Sequence, residues 1–252
     1  LAAQHVEIKE HWEYDTIQRS EVKRHLNEYF YYGGLPEILS FKNKRAMLSS
    51  LYQKIYLGDI CARNNIKNDR VLNILIKKMA ENVKQPLSYN RLKNVIVATG
   101  SPISVPTTID YVDYASDSWL ILPLENEVGK LTEKEMQRKY YFVGNGLLNL
   151  FLMNSETSLL ENMVAVELCR RFGKENVFFL NAEKEIDVIV PDEKLAIQVS
   201  YSIKDETTYN REVPPLVKYA KAHKDWKCLL ITYDEKGTEE GIIVVPVWKW
   251  LM

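Results

Sequence analysis

The sequence feature that most constrains the fold is a change of hydrophobic pattern near residue 155. Up to that point helical spacing dominates, whereas the remaining residues alternate one helical segment, three strand-like runs, a second helix and two further strands. Such an αβββαβ order, with one more strand at its end, predicts an α/β sandwich built on a single sheet. We expect helices at 158–172 and 213–223, and strands at 177–180, 185–190, 195–201, 228–233 and 242–247.

The preceding segment, 69–153, has the rhythm of a winged helix-turn-helix. Three amphipathic helices, the third spanning 104–117, are followed by strand-like runs at 119–124 and 139–143. The polar stretch 125–138 between those two strands is the predicted wing. Residues 1–68 carry only helical patterns, at 20–32 and 44–64, separated by the helix-breaking sequence Gly33-Gly34-Leu35-Pro36. Together these patterns predict an α+β, multidomain chain of three parts: 1–68, 69–153 and 154–252.

Composition limits the function classes without choosing among them. The 252 residues contain 33 Lys and Arg against 34 Asp and Glu, so net charge gives no general attraction to nucleic acid or membrane. No apolar run approaches the ~20 residues of a membrane helix, and no signal peptide opens the chain. The three distant cysteines predict reduced thiols in a cytoplasmic protein. Because the chain begins with Leu1 rather than methionine, we expect a piece of a longer protein.

The strongest chemical signal lies in the last segment. Glu161 falls on its first helix, Asp187 on one strand, and Gln198 eleven residues later on the next strand. Adjacent strands can bring Asp187 and Gln198 side by side, and two or three such oxygen ligands can hold Mg²⁺. This is the layout of the PD-(D/E)XK nuclease fold, with Glu161 and Asp187 as candidate metal ligands.

One departure from that motif bears directly on catalysis. The motif lysine falls at Ser200, which cannot stabilise negative charge on a phosphate. Lys184 and Lys194 are near in sequence, but nothing favours either as a replacement. A structural alternative is that Ser158 and Glu161 form a helix capping box. We therefore expect a degenerate, nuclease-like domain, with Mg²⁺-dependent DNA cleavage by Glu161, Asp187 and Gln198 as the alternative.

The charges of the predicted helix-turn-helix argue against recognition of DNA by its third helix. The third helix carries an acidic stripe, Asp110, Asp113 and Asp117, and no Lys or Arg, so it would repel phosphates. Contact through the preceding helix and the wing stays open. The candidate DNA-contacting residues are Arg91, Lys93, Lys130, Lys134, Arg138 and Lys139.

Several ordered landmarks resemble one protein family. They are Tyr32-Gly33-Gly34-Leu35-Pro36-Glu37, Ile55-Tyr56-Leu57-Gly58-Asp59-Ile60 with Arg63, Thr107-Thr108-Ile109-x-Tyr111, Tyr141-Phe142-x-x-x-Gly146-Leu147, Leu160-Glu161-Asn162, Val166-Glu167-Leu168, Glu185-Ile186-Asp187 and Ile197-Gln198-Val199. Together they resemble the C-terminal region of prokaryotic AAA+ superfamily ATPases that carry a C-terminal domain of unknown function. The sequence departs from the family's Tyr-Phe-x-Asp-x-Gly-Leu pattern at Gly144, where aspartate is usual.

The resemblance implies a winged helix and a restriction-endonuclease-like domain that follow an N-terminal ATPase module. The chain itself contains no G-x-x-x-x-G-K-[ST] phosphate loop, so ATP and Mg²⁺ are expected on that separate module. The leading hypothesis is a non-catalytic regulatory and interaction region, with its own ATPase module and a protein or DNA as partners and no membrane. The alternatives are a Mg²⁺-dependent nuclease and a winged-helix DNA-binding regulator.

Overall fold

The computed structural model describes residues 16–153, 155–182 and 185–252 and shows a mixed α+β chain with two sheets. Residues 1–15, which open the predicted 1–68 segment, and Lys184 lie outside the described residues. The N-terminal helices bury apolar faces that the spacing predicts. They are α1 (Thr16–Tyr32) and α2 (Lys44–Lys54), with a π-helical segment (Ile55–Ala62) continuing α2.

The π-helical segment differs from the single α-helix predicted over 44–64. A π-helical turn takes more than four residues, and it therefore brings Tyr56, Ile60 and Cys61 onto one face. All three are buried, and the Tyr56 hydroxyl donates to the carbonyl of Asp69. An α-helix of the same residues would turn Cys61 well away from the other two.

The smaller sheet has three short antiparallel strands. The elements of this part are α3 (Asp69–Glu81), β1 (Leu87–Ser88), α4 (Tyr89–Ala98), α5 (Val105–Asp117), β2 (Ile121–Leu124), α6 (Leu131–Met136), β3 (Gln137–Phe142) and α7 (Asn145–Leu148). The strands lie in the order β1-β3-β2. Ser88 and Ser104 each accept a hydrogen bond from a backbone N–H three residues on, and so fix the starts of α4 and α5.

The stretch predicted as a wing, 125–138, does not extend into solvent as a simple loop. It contains α6, and its first residues pair with the larger sheet. Phe179 N–H donates to the Glu125 carbonyl at 3.0 Å, and Glu127 N–H donates to the Phe179 carbonyl at 2.9 Å. The Asn126 side chain adds two hydrogen bonds to the backbone of Asn181. The backbone groups of its first residues thus cover an edge of the larger sheet.

The larger sheet has six strands, with helices packed against it. The elements of this part are α8 (Glu156–Phe172), β4 (Phe178–Asn181), β5 (Glu185–Val190), β6 (Leu195–Val199), α9 (Glu206–Ala222), β7 (Lys227–Thr232), β8 (Gly237–Glu239), β9 (Ile242–Pro246) and α10 (Val247–Trp250). The strands lie in the order β4-β5-β6-β7-β9-β8. The first three are antiparallel neighbours, whereas β6, β7 and β9 run parallel. None of the described helices is long and apolar enough to cross a membrane.

Buried asparagines join the two sheets. The Asn162 side chain on α8 accepts from Phe142 N–H at 2.7 Å and donates to the Phe142 carbonyl at 3.0 Å. It also donates to Asn145, whose own amide donates to the carbonyls of Phe30 and Leu159. Because every one of these groups is withdrawn from water, losing a partner would leave a costly unpaired polar atom. The network fixes β3 against α8.

A close backbone approach explains Gly144, the position at which the family pattern has aspartate. A Cβ on Gly144 would lie 2.7 Å from the Gly34 Cα and 2.8 Å from the Gly33 carbonyl oxygen. Gly34 itself has φ of +117°, a conformation that favours glycine. Any side chain at residue 144 would therefore push the segment after α1 away from the end of β3.

Replacing Gly144 by alanine should destabilise the protein. The clash is with backbone atoms that cannot rotate away, so we expect a loss of about 2 kcal/mol in the free energy of unfolding. Urea denaturation measures it. Gly58→Ala is the control, since nothing lies within 4 Å of a Cβ at that position. Equal stability of the two variants would contradict the backbone contact.

Candidate functional site

The candidate site is organised around a buried lysine that belongs to the smaller sheet. Lys139 lies on β3, and no part of its side chain is exposed. Its Nζ donates to Glu161 Oε1 at 3.1 Å and to Asp187 Oδ1 at 3.2 Å, and it lies 3.1 Å from Glu185 Oε1. We call Lys139, Glu161, Glu185 and Asp187 the lysine–carboxylate cluster. The Phe179 ring, 5.7 Å from Nζ, forms an apolar wall beside it.

Glu161 reaches the cluster from the second turn of α8. The helix begins at Glu156 with Ser155 before it, so Ser158 lies within the helix and the capping-box alternative for Glu161 is wrong. Glu161 is almost fully buried and accepts a second hydrogen bond from the Tyr141 hydroxyl at 2.8 Å. Tyr141 is two residues after Lys139, so both side chains leave β3 on the same face.

Asp187 and Gln198 lie on neighbouring antiparallel strands, as the eleven-residue spacing predicts. Val188 pairs with Ile197, so the antiparallel register places Asp187 opposite Gln198. Asp187 N–H donates to Gln198 Oε1 at 3.3 Å, and Asp187 Oδ2 accepts from Val199 N–H at 2.9 Å. Gln198 Nε2 turns away and donates to Glu212 Oε2 at 2.6 Å. Each of these oxygens therefore already has a partner within the protein.

The cation that the sequence lacks at Ser200 comes from a different sheet. The Ser200 hydroxyl donates to the Ser202 carbonyl, away from the carboxylates, and Lys194 pairs with Asp225 at the surface. Sequence reasoning missed Lys139 as a member of this site. The available signal was local: Lys139 directly precedes the buried residues Tyr140, Tyr141 and Phe142, a position where a charged strand residue requires a buried partner.

Electrostatics in the cluster favour a charged lysine and a carboxyl group that binds protons readily. Burial alone would lower the pKa of Lys139, but Glu161, Tyr141, Asp187 and Glu185 outweigh it and hold that pKa well above its ordinary value. Burial raises the pKa of Glu161 from 4.5 to about 7, with Asp187 adding to the shift and Lys139 opposing it. Burial first, and the neighbouring charge of Asp187 second, are therefore why Glu161 retains a proton more readily than an exposed carboxyl group.

A cleft of about 440 Å³ opens above the cluster. On its far wall, burial followed by the charge of Asp187 raises the pKa of Glu212, while Arg211 pairs with Glu212 at 2.7 Å and opposes that rise. The cleft is lined by Lys84, Gln85, Thr157, Glu161, Glu185, Asp187, Gln198, Val199, Arg211, Glu212 and Pro215.

The expected Mg²⁺ ligands, Glu161 and Asp187, do come together, but with an ammonium between them. Across the described residues, no group of three or more His, Cys, Asp or Glu side chains is arranged to hold a metal ion. Mg²⁺ requires oxygen ligands at about 2.0–2.1 Å in a nearly octahedral arrangement. The Glu161 Oε1 and Asp187 Oδ1 atoms that would supply them are hydrogen-bonded to Lys139.

The predicted DNA-contacting residues separate into two groups. Lys139 has no exposed surface, so its assignment as a DNA contact is wrong. Arg138 pairs with Glu125 and Glu135, and Lys134 lies over the Phe178 ring. The others, Arg91, Lys93 and Lys130, are exposed or half-buried. The acidic stripe of α5 is exposed as predicted, at Asp110, Asp113 and Asp117.

Removing the buried ammonium should be strongly destabilising. Lys139→Met leaves Glu161 and Asp187 buried beside each other without a cation, and breaking such a pair costs about 3–5 kcal/mol. Chemical denaturation near neutral pH measures the loss. The control is Lys194→Met, which removes an exposed pair with Asp225 and should have little effect. Similar small losses in both variants would contradict the electrostatic role of Lys139.

Stability should depend on pH through Glu161. Since the folded pKa of about 7 exceeds the ordinary 4.5, the folded state binds the proton more tightly, and stability falls as pH rises between these values. Glu161→Gln keeps the shape and removes the titration. We expect the stability of wild type relative to this variant to fall by at most about 3 kcal/mol from pH 4.5 to pH 8. Parallel unfolding curves across that range would contradict the shift.

Comparisons with known proteins give relatives from two domains of life. An uncharacterized protein of Methanocaldococcus jannaschii is 29% identical over 257 residues, which cover 94% of this chain and 57% of that protein. An uncharacterized protein of Haemophilus influenzae is 30% identical over 236 residues, covering 90% of this chain and 57% of that protein. The chain thus spans little more than half the length of these relatives. No solved structure matches it.

A family match covers the part of the chain that supplies Lys139. Residues 23–158, more than half of the chain, match a family described as a domain of unknown function (DUF8612). The matched range contains β3 with Lys139 and Tyr141 and ends three residues before Glu161. The chain belongs to this DUF8612 family.

Proposed function

We propose that the chain is a non-catalytic regulatory and interaction region of an AAA+ ATPase. In this proposal 69–153 is a winged helix and 154–252 a degenerate PD-(D/E)XK nuclease-like domain whose catalytic centre has become a structural ion cluster. The observation that carries the non-catalytic assignment is the ammonium of Lys139, fully buried at 3.1–3.2 Å from Glu161, Glu185 and Asp187.

The buried ammonium and a divalent ion compete for the same oxygens. Mg²⁺ at the nuclease position would need Glu161 Oε1 and Asp187 Oδ1, both of which accept hydrogen bonds from Lys139 Nζ. Two positive charges so close together would repel strongly in a buried environment. Displacing the lysine would also leave it buried without a partner, which is a severe cost. The cluster thus favours a structural role over metal-dependent chemistry.

The assignment to an AAA+ ATPase rests on the ordered motifs quoted above. It is supported by the relatives, since the chain spans only 57% of their length and a further module has room in the remainder. The chain has no phosphate-binding loop of its own, so ATP and Mg²⁺ would be bound by that module. We propose this module as a partner of the region, and we locate the whole protein in the cytoplasm.

A metal-dependent nuclease is the second candidate, and one observation favours it. Lys139 contacts the two carboxylates that a nuclease lysine would accompany, and the cleft of about 440 Å³ opens above them. In this alternative, Lys139 would substitute from another strand for the lysine absent at Ser200. Glu161 and Asp187 would hold Mg²⁺, and Gln198 would complete the site.

Cleavage and metal-binding assays distinguish the two candidates. We expect the 252-residue chain to leave plasmid and single-stranded DNA intact with Mg²⁺ or Mn²⁺, and calorimetry to detect no Mn²⁺ binding, because Lys139 fills the position. Asp187→Asn should change neither result.

Some results of these assays would support the nuclease candidate instead. Metal-dependent cleavage that is lost in Asp187→Asn and retained in Asp192→Asn, a residue outside the cleft lining, would overturn the non-catalytic proposal. Cleavage equal in both variants would identify a contaminating nuclease and leave the calorimetric result to decide. Mn²⁺ binding that Asp187→Asn abolishes would likewise overturn the proposal.

A further inference from the structure

The charge of the smaller-sheet region is unevenly distributed, although the whole chain is nearly neutral. Residues 67–93 contain seven Lys and Arg but only two Asp and Glu, a net charge of +5. The next helix, α5, contains three aspartates and no basic residue. A single region thus presents a basic side formed by α3 and the start of α4, and an acidic side formed by α5.

Three cations lie on α3 and in the turn that follows it. Arg70 and Lys77 are seven residues apart on α3, which places them on one exposed face about 10 Å apart along the axis. Lys84, seven residues further on, follows the end of α3 and lines the cleft above the lysine–carboxylate cluster. We call Arg70, Lys77 and Lys84 the α3 cation line.

The members of the α3 cation line are available to a ligand. None of the three forms an ion pair or a side-chain hydrogen bond with any residue that the structure describes. The two acidic residues nearby do not neutralise them: Glu81 pairs with Lys78 at 3.1 Å, and the Asp69 side chain pairs with none of the three. Within the described part of the chain, the side chains of Arg91 and Lys93 on α4 likewise form no ion pair, and both add to the positive charge of this side.

We propose that the α3 cation line binds the phosphate backbone of a nucleic acid. In a winged-helix protein, the helix that corresponds to α5 would enter the DNA groove. Here the negative charge of α5 repels phosphates. Lysines bind phosphates as point charges and carry no sequence information, so the contact is independent of base sequence. This inference goes beyond the proposed function, which requires no nucleic acid.

The chemistry of this surface favours a nucleic acid over an acidic protein. Protein interfaces are enriched in aromatic residues and depleted in lysine. The solvent-facing positions of α3 are polar, at Arg70, Asn73, Lys77 and Glu81, and its large apolar side chains Val71, Leu72, Leu75 and Ile76 are buried. A surface of unpaired cations without an apolar anchor matches binding by counterion release.

Fluorescence anisotropy tests this proposal with the full 252-residue chain and a labelled duplex DNA, in EDTA so that binding is separate from any cleavage. The test variant is Arg70→Gln/Lys77→Gln/Lys84→Gln. The matched control is Lys204→Gln/Lys224→Gln/Lys236→Gln, which removes three exposed lysines from the larger-sheet part. Thermal unfolding confirms that each variant is folded, and single Lys77→Gln provides a milder variant if the triple one is not.

We expect the test variant to bind at least about tenfold more weakly at ~50 mM salt, and its slope of log K against log salt to fall by about 2.7 units, while the control changes little. Lys77→Gln alone should reduce that slope by about 0.9. Equal binding by test and control variants, or no binding by wild type, would overturn the proposal. Displacement of the DNA by polyglutamate at equal charge would assign the surface to acidic proteins instead.

Discussion

The lysine–carboxylate cluster is the interaction on which the arrangement of the two sheets depends. Lys139 belongs to β3 of the smaller sheet, whereas its partners lie on α8 and β5 of the larger one. Burying any one of these charges alone would carry a large desolvation free energy. The attraction between partners at 3.1–3.2 Å offsets that desolvation. Separating the sheets would therefore require the charges to be hydrated again.

Hydrogen bonds around the cluster give its charges a defined geometry. Tyr141 donates to Glu161 from the same strand that supplies Lys139, and Val199 N–H donates to Asp187. The residue after Glu161 on α8, Asn162, binds both backbone groups of Phe142. The register of β3 against α8 is thus specified by polar contacts in addition to apolar packing, which by itself tolerates small displacements.

Local features of this fold could be predicted because they depend on neighbouring residues. The strand 185–190 has the predicted bounds, and Ser104 caps the predicted helix. The pairing of Asp187 with Gln198 followed from their spacing on adjacent strands. The contribution of Lys139 could not be predicted, because it lies 22 residues from Glu161 and 48 from Asp187 in another sheet. The docking of Asn126 on Asn181 likewise depends on tertiary geometry, which the polarity of this stretch does not reveal.

The contacts between β3 and α8 limit where the chain can be cut into parts that fold separately. A cut in the segment 149–155 would separate an ammonium from all three of its carboxylates, and Phe142 from Asn162. Each fragment would then have to lose its buried charges or acquire new ones before it could be stable. The two sheets therefore depend on each other for stability, and we expect neither fragment to fold without the other.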